Sequence, residues 1–264
     1  MIKIKFIIGM LGLCLAFPVF SHAQSTTFDK GMYVNKTDTL PYRILMPRDF
    51  DPKVKYPLII VLHGSGERGT DNEAQLKYGT GLFLSDGTRT NFPAIVVYPQ
   101  CPKDSYWSNV KIQPDSVTHK RTFNFQEGGE PTKAMHALMG LIDNLLDKPY
   151  VNKHQVYVGG LSMGGMGTFE ILRREPKVFA AAFAICGGDN TNNVKIYAKK
   201  VPLWIFHGAK DETVPLDHSQ VVVEALKAAG ADPKFTIYPN DGHNSWDDAF
   251  AEPELLPWLF SHKK

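Results

Sequence analysis

The chain has 264 residues, of which 29 are Lys or Arg and 27 are Asp or Glu, and its formal net charge is +2. This balance excludes a strong electrostatic attraction to nucleic acid or to an acidic membrane surface, because neither sign of charge dominates. The length suits one α/β domain with a sizeable core.

The N-terminal residues have the features of a secretory signal peptide. Lysines near the start precede an apolar run over 6–20, and the segment 21–23 (Ser-His-Ala) has small residues at both ends. We expect residues 1–23 to be removed by cleavage after Ala23. The mature protein, 24–264, is then a single catalytic domain, located in the periplasm or secreted.

Two other interpretations of this segment remain open. A membrane anchor is one, although the apolar run is shorter than the ~20 residues that a spanning helix needs. Lipid attachment at Cys14 is the other, but Leu13 stands where a small residue is required. Cleavage would remove Lys3 and Lys5, leaving 27 of the 29 basic residues against 27 acidic ones.

Apolar runs separated by helical patterns follow along the rest of the chain. Residues 28–46 predict short antiparallel strands. Six later runs predict buried strands, at 57–62, 94–98, 156–159, 180–186, 202–206 and 234–238. Helical periodicity is found at 132–146, 168–173 and 219–229. This alternation predicts an α/β fold with a mostly parallel sheet covered by helices on both faces. The stretch 104–130 has no clear pattern, and we expect an irregular loop that overhangs the functional site.

A G-x-S-x-G motif lies between one of these strands and a helix. It spans residues 160–164, directly after the strand at 156–159 and before a helical pattern at 165–174. A sharp strand-to-helix turn of this kind exposes a serine hydroxyl near a helix N-terminus, and glycines keep its flanks free of side chains. Ser162 is therefore the candidate nucleophile.

A serine nucleophile needs a base and an acid that orients the base. In sheets of this type the chain order is Ser, Asp or Glu, His. Asp211 follows the strand at 202–206, and His243 follows the strand at 234–238, which places both at the same edge of the sheet as Ser162. Other candidates for the acid are Glu212, Asp241, Asp247 and Asp248.

Two backbone N–H groups are expected to bind the oxyanion, and the loop after the strand at 57–62 is expected to provide one of them. We expect one backbone N–H from Met163 and one from Ser65, with Gly66 as the alternative to Ser65. His63 is predicted to brace this loop rather than to act as a base.

The same loop also contains G-x-G-x-x-G, at Gly64, Gly66 and Gly69. This pattern is typical of dinucleotide binding when a helix and a second strand follow it. Here the continuation is polar and then rich in glycine, and Asp86 lies in a loop-like context, so an oxidoreductase is the weaker interpretation.

Aromatic, basic and sulfur-containing side chains complete the candidate residues. Trp107 and Trp246 are predicted to line a substrate wall, with Tyr106 beside them, because aromatic rings stack on sugar and phenolic faces. A solvated basic stretch is predicted from Lys111, His119, Lys120 and Arg121. Cys101 and Cys186 are expected to be buried thiols rather than a disulfide, and no cysteine spacing indicates a metal site.

Several of these segments together resemble a known group of enzymes. They are the segment Leu-His-Gly-Ser-Gly-Glu-Arg-Gly at 62–69 with Asp71 and Asn72, Tyr-Pro-Gln-Cys-Pro at 98–102 with Trp107, Gly-Leu-Ser-Met-Gly-Gly at 160–165, and the contexts of Asp211 and His243. Over roughly 38–250 the chain resembles α/β-hydrolase esterases. It is most similar to carbohydrate esterase family 1, with its feruloyl and acetylxylan esterases, and to related predicted peptidases and polyhydroxybutyrate-depolymerase-like esterases.

The resemblance implies the α/β-hydrolase fold and the removal of acyl groups from plant cell-wall polysaccharide such as xylan. With the residues above, it predicts an exported serine esterase that needs no metal or organic cofactor. Its partner would be an acylated polysaccharide or oligosaccharide, and not nucleic acid or membrane. The alternatives are a serine peptidase on the same fold, with Glu67 or Arg68 as the candidate anchor for a chain end, and a catalytically silent binding protein.

Overall fold

The computed structural model describes residues 27–36, 38–114, 116–117 and 121–264. The predicted signal peptide, Cys14, His119 and Lys120 lie outside these residues. In the described part of the chain the strands are β1 (Asp29–Asn35), β2 (Asp38–Leu45), β3 (Tyr56–Leu62), β4 (Ile95–Pro99), β5 (Val110–Pro114), β6 (Arg121–Phe125), β7 (Val151–Leu161), β8 (Ala181–Ile185), β9 (Leu203–Gly208) and β10 (Lys234–Tyr238).

Eight of these strands form one sheet in the order β1-β2-β4-β3-β7-β8-β9-β10. The pairs from β4 to β10 are parallel, and β2 pairs antiparallel with both β1 and β4. The six predicted parallel strands and the antiparallel start are therefore confirmed. Because the parallel strands run in one direction, their carboxyl ends meet at one edge of the sheet.

The strand β3 shows why the sheet is covered on both sides. Leu58, Ile60 and Leu62 belong to one buried apolar cluster, while the alternating Ile59 and Val61 belong to another. Successive strand residues point to opposite faces, so a continuous apolar run requires a cover on each face.

Helices supply the two covers. They are α1 (Thr80–Leu84), α2 (Asp86–Asn91), α3 (Lys133–Leu146), α4 (Met163–Arg174), α5 (Asp217–Ala228), α6 (Trp246–Ala251) and α7 (Leu255–Ser261). Apolar residues of α3, α4 and α5 join the cluster of Leu58, and those of α1, α6 and α7 join the cluster of Ile59. The short helices α1, α2, α6 and α7 were not predicted, because five to seven residues carry too little periodicity. Within the described residues no helix is long and apolar enough to cross a membrane.

The stretch 104–130 is not the irregular loop that the sequence predicts, because it contains an antiparallel hairpin of β5 and β6. The residues of β5 and β6 are exposed or only half-buried, so the apolar alternation that identifies strands is weak. The rings of Phe123 and Phe125 of β6 make T-shaped contacts with the ring of His218, with centroids 5.4 and 5.6 Å away. His218 lies in α5, which places the hairpin beside the edge where Asp211 is found.

Candidate active site

Ser162 occupies a sharp turn between β7 and α4. Its φ is 53° and its ψ is −117°, a conformation that costs a non-glycine residue energy. A Cβ at Gly164 would lie 2.0 Å from the carbonyl oxygen of Leu62, and one at Gly160 would lie 2.6 Å from the same atom. The two glycines of the motif are therefore required by the backbone of β3, which passes close beneath the turn.

Ser162, His243 and Asp211 are brought together in one hydrogen-bonded chain. The Oγ of Ser162 lies 2.9 Å from Nε2 of His243, and Nδ1 of His243 lies 2.7 Å from Oδ2 of Asp211. Because a carboxylate only accepts, Nδ1 carries the imidazole proton and Nε2 accepts from the serine hydroxyl. The arrangement has the order nucleophile, base and orienting acid.

Asp211 is held in its charged form. Burial opposes the charge, but hydrogen bonds from His207, from His243 and from the N–H of Val214 outweigh it and lower the pKa of Asp211 well below its usual range. Its Oδ1 accepts from the N–H groups of Thr213 and Val214, each at 2.9 Å. This carboxylate is thus fixed on both oxygens.

The other acids considered from the sequence do not take this place. Glu212, Asp247 and Asp248 are exposed, and Asp241 is half-buried. Asp241 and Asp248 interact with each other, and Asp247 accepts from Asn244. Among the described acids, Asp211 is the one that contacts the ring of His243.

His207 is a member of the site that the sequence analysis missed. It is fully buried at the end of β9. Its Nε2 lies 2.8 Å from the carbonyl oxygen of Val214 and 3.4 Å from Oδ2 of Asp211, and its Nδ1 lies 2.7 Å from Oγ of Ser219. The ring therefore holds the loop that carries Asp211. The position of His207 at the end of a strand could have identified it. The sequence analysis instead assigned the functional residue after this strand to Asp211.

The two expected oxyanion donors lie beside Ser162. Met163 is the first residue of α4, and Ser65 is the first residue of a 3₁₀ turn, Ser65–Glu67. The N–H of a first helical residue has no acceptor inside its own helix. A Cβ built on Gly64 would lie 3.8 Å from Cβ of Ser162, so the loop adjoins the nucleophile. The assignment of both donors stays a prediction, as does the choice of Ser65 over Gly66.

The glycine pattern of this loop does not open a long helix. The 3₁₀ turn has three residues, and a second 3₁₀ turn (Ala74–Leu76) and the short helices α1 and α2 follow it before β4. The strand–helix–strand unit that a dinucleotide requires is therefore not formed here.

His63 braces the loop that follows β3. It is 2% exposed, its Nδ1 donates to the carbonyl oxygen of Gly64 at 2.6 Å, and its Nε2 accepts from the N–H of Cys101 at 2.9 Å. Gln100 also stabilises this loop. Its Nε2 donates to the carbonyl oxygen of Glu67, and its Oε1 accepts from the N–H of Asn72. Burial lowers the pKa of His63 to about 4, which keeps the ring neutral at pH 7.

This neutral histidine predicts a pH-dependent stability. The pKa of His63 is about 4 in the fold, against about 6.5 when unfolded. The unfolded chain therefore binds the proton first as the pH falls, and the contribution of His63 to stability is lost between those two values. In urea unfolding, the stability gap between wild type and His63→Gln should narrow by about 3 kcal/mol from pH 7 to pH 4.

The comparison with the variant is needed because other groups titrate in the same range. Burial raises the pKa of Asp189 to about 6, which acts in the opposite direction on the wild-type curve. His154→Gln provides a matched control, because it makes the same substitution at an exposed position. A stability gap for His63→Gln that stays constant over this pH range would contradict the account of His63.

The two tryptophans differ from each other. Trp107 is fully buried, with its Cβ against Gly167 and its ring 5.5 Å from that of His63, so the prediction that it lines a substrate wall is wrong. Trp246 is half-buried, and its ring lies 5.2 Å from that of His243 and 5.1 Å from that of Tyr78. Trp246 therefore remains a candidate, together with Tyr78, which the sequence analysis did not single out.

The thiols of Cys101 and Cys186 are free and buried, as expected. Atoms of Cys186, Asp211 and His243 that can ligate metals lie within 4.8 Å of one another. However, the Asp211 and His243 atoms are bonded to each other, and burial raises the pKa of Cys186 above its usual range, so that its thiol keeps its proton. Asp211 and His243 therefore fit the hydrogen-bonded chain with Ser162 better than a metal site.

The chain is similar to known carboxylesterases and other esterases. A family model for phospholipases and carboxylesterases matches residues 51–253. A probable carboxylesterase SOBER1-like of Arabidopsis thaliana is 28% identical over 236 residues, which are 84% of each chain. An endo-1,4-β-xylanase/feruloyl esterase of Xylanibacter ruminicola is 30% identical over 184 residues, 67% of this chain and 22% of that protein.

The solved structure of a thermostable esterase has a TM-score of 0.79 and 32% identity to this chain. It covers 90% of this chain, which spans 64% of the length of that esterase. The predicted α/β-hydrolase fold, with a mostly parallel sheet flanked by helices, and the resemblance to esterases of that fold are confirmed by this match and by the family model.

Proposed function

Because the chain belongs to the phospholipase/carboxylesterase family, we propose that it is an exported serine esterase acting on acyl groups, acetyl or feruloyl, of plant cell-wall polysaccharide. Carboxylesterase-type hydrolysis is the coarser activity that the family and the thermostable esterase support. The observation that carries the proposal is the contact of 2.9 Å between Oγ of Ser162 and Nε2 of His243, with Asp211 behind the imidazole.

Each residue has a defined step in this proposal. His243 takes the proton of Ser162 as its Oγ attacks the ester carbonyl, and the N–H groups of Met163 and Ser65 hold the oxyanion. The tetrahedral intermediate expels the alcohol, which receives the proton from His243, and leaves an acyl group on Ser162. Water, deprotonated by His243, then releases the acid. Asp211 fixes the imidazole tautomer and stabilises the imidazolium.

Three observations other than the triad geometry support a polysaccharide substrate. The Xylanibacter ruminicola relative is an endo-1,4-β-xylanase/feruloyl esterase. The rings of Trp246 and Tyr78 beside His243 provide an aromatic surface of the kind on which sugars and phenols stack. The segment 1–23 supports export to where such a polymer is found.

The peptidase alternative gains little from the residues proposed for it. Glu67 is buried, and its carboxylate accepts from the N–H groups of Gly64 and of its own residue. Arg68 donates to the carbonyl oxygens of Ser65, Lys103 and Ser105. Both side chains thus hold the loop together, and no described contact favours an anchor for a peptide terminus.

A substrate panel on the purified mature protein tests the proposal. It contains p-nitrophenyl acetate, methyl ferulate, acetylated xylan and a set of aminoacyl-p-nitroanilides. We expect ester hydrolysis and release of acetate or ferulate, which also identifies the acyl group. Cleavage of anilides with weak ester turnover would instead indicate a peptidase, and no turnover on the whole panel would favour a binding protein.

A further inference from the structure

A wide cleft lies between the loop after β3 and the β5–β6 hairpin. Its volume is about 580 Å³, within the range of about 300–1,000 Å³ that ligand sites occupy. Residues from 103–112, the N-terminal end of α3 and Arg68 line it. We call this space the basic cleft.

Positive charge dominates the basic cleft. Arg68, Lys103, Lys111 and Lys133 line it, against the single carboxylate of Asp104. In the described part of the chain none of these four cations forms an ion pair with a carboxylate. For comparison, Arg43, Arg173 and Arg174 each have a glutamate partner. The charges of the cleft are therefore available to an anionic ligand.

Polar groups suited to sugar hydroxyls accompany this charge. Ser105, Ser108, Asn109, Gln126 and Thr132 line the basic cleft. Ser108 is 5% exposed, and its Oγ has no hydrogen-bond partner among the described residues. A buried hydroxyl without a partner costs stability, and such groups recur where a ligand is bound. The hydroxyl and amide lining favours a carbohydrate over a lipid, which would require a longer apolar surface.

The basic cleft is joined to the candidate oxyanion loop. Nε of Arg68 donates to the carbonyl oxygen of Ser65 at 3.1 Å, and the hydroxyl of Tyr106 hydrogen-bonds the side chain of Ser65. The guanidinium of Arg68 lies 5.2 Å from the centre of the Tyr106 ring. Arg68 is three positions after Ser65 in the chain, so their Cα atoms are about 10 Å apart at most. Arg68 of the cleft is thus bonded to the loop that adjoins Ser162.

We propose that the basic cleft binds the carboxylate of a uronic acid carried by the acylated polysaccharide, close to the ester that Ser162 attacks. This inference rests on the proposed function and narrows its substrate to acidic polysaccharides such as a glucuronate-substituted xylan. Arg68 and the three lysines attract the carboxylate, and the hydroxyl and amide groups contact the neighbouring sugar hydroxyls.

The test uses two acetylated xylo-oligosaccharides that differ in one group. One carries a glucuronate, and in the other the same carboxyl is reduced to an alcohol. At low ionic strength we expect wild type to prefer the acidic form in kcat/KM by about tenfold, the sum of several weak, solvent-exposed contacts. The triple variant Lys103→Gln/Lys111→Gln/Lys133→Gln should lose this preference and keep its rate on the reduced form. Added salt should also diminish the preference.

Controls separate the cleft from net charge and from the chemistry. Lys53→Gln/Lys153→Gln/Lys227→Gln removes the same charge from exposed positions outside the cleft lining, and its preference should equal that of wild type. Hydrolysis of p-nitrophenyl acetate should be equal in all three proteins. If wild type does not hydrolyse p-nitrophenyl acetate, the proposed esterase activity is wrong. The cleft is then tested separately, by calorimetry of the unacetylated acidic oligosaccharide binding to Ser162→Ala.

Several outcomes would overturn the inference. One is that wild type has the same kcat/KM on the acidic and the reduced substrate. Another is that the cleft variant loses kcat/KM equally on both substrates. A third is that the control triple variant loses the preference for the acidic substrate as the cleft variant does. A cleft variant that loses hydrolysis of acetylglycerol phosphate but retains its preference for the uronate substrate would assign the cleft to phosphate instead, and the proposal would be wrong.

Discussion

Replacing Ser162 with alanine is expected to reduce kcat for p-nitrophenyl acetate by about 10⁵- to 10⁶-fold. The Oγ of Ser162 is the atom that would form the acyl-enzyme, and among the described residues it is the one hydroxyl that hydrogen-bonds the ring of His243. The fold should survive, because serine and alanine experience similar backbone strain at a φ of 53°. Steady-state kinetics and thermal unfolding of the same preparation measure both effects.

Ser261→Ala is the matched control for this loss. Ser261 lies at the exposed end of α7, where its hydroxyl bonds the carbonyl oxygen of Trp258. We expect its activity to equal that of wild type. If Ser162→Ala kept more than a small fraction of the activity while Ser261→Ala behaved as expected, the nucleophile would have to be another residue.

Replacing Asp211 with asparagine is expected to lower kcat by about 10⁴-fold. Asn is nearly the same size, but its amide no longer provides the negative charge that stabilises imidazolium, and it favours the wrong tautomer of His243. The hydrogen bonds from the N–H groups of Thr213 and Val214 can still be accepted by the amide oxygen, so the loop should keep its form. The loss should therefore fall on kcat much more than on stability.

Glu212→Gln removes the same charge one residue away. Glu212 is exposed and was a candidate for the orienting acid from the sequence alone. Its replacement should leave kcat within about twofold of wild type, as for an ordinary surface substitution. A large loss in Glu212→Gln with a small one in Asp211→Asn would reverse the assignment of the acid.

The parts of the fold that the sequence predicts are those with strong local patterns. The buried run in β3 and the helical period of α3 predicted their elements within one residue of the observed ends. The candidate triad could also be predicted, because Ser162, Asp211 and His243 each follow a strand, and parallel strands bring such positions to one edge.

The features that were missed depend on contacts between distant residues. Trp107 is buried because Gly167 leaves room for it: a Cβ at that glycine would lie 2.4 Å from Cβ of Trp107. Nothing near Trp107 in the sequence records that space. The β5–β6 hairpin likewise owes its position to the rings of Phe123 and Phe125 on His218, nearly a hundred residues later in the chain.

The basic cleft illustrates the same limit in another way. From the sequence, Lys111 and Arg121 were predicted to belong to a solvated basic stretch with His119 and Lys120. In the fold, Lys111 lines the same cleft as Arg68 and Lys103. The charge of Arg121 acts, with that of Arg68, to lower the pKa of Tyr106 against the larger effect of burial. Convergence of charges from separate segments is a property of the tertiary structure.

The central claim is that Ser162 forms a covalent acyl intermediate with His243 as its base. Its most direct test is mass spectrometry of the mature protein after treatment with a fluorophosphonate, together with the pre-steady-state release of p-nitrophenol from p-nitrophenyl acetate. We predict one label per chain, on the peptide containing Ser162, a burst of about one equivalent of p-nitrophenol, and loss of both in His243→Ala. Steady ester turnover with no label on Ser162, or with the label on another residue, would contradict the account.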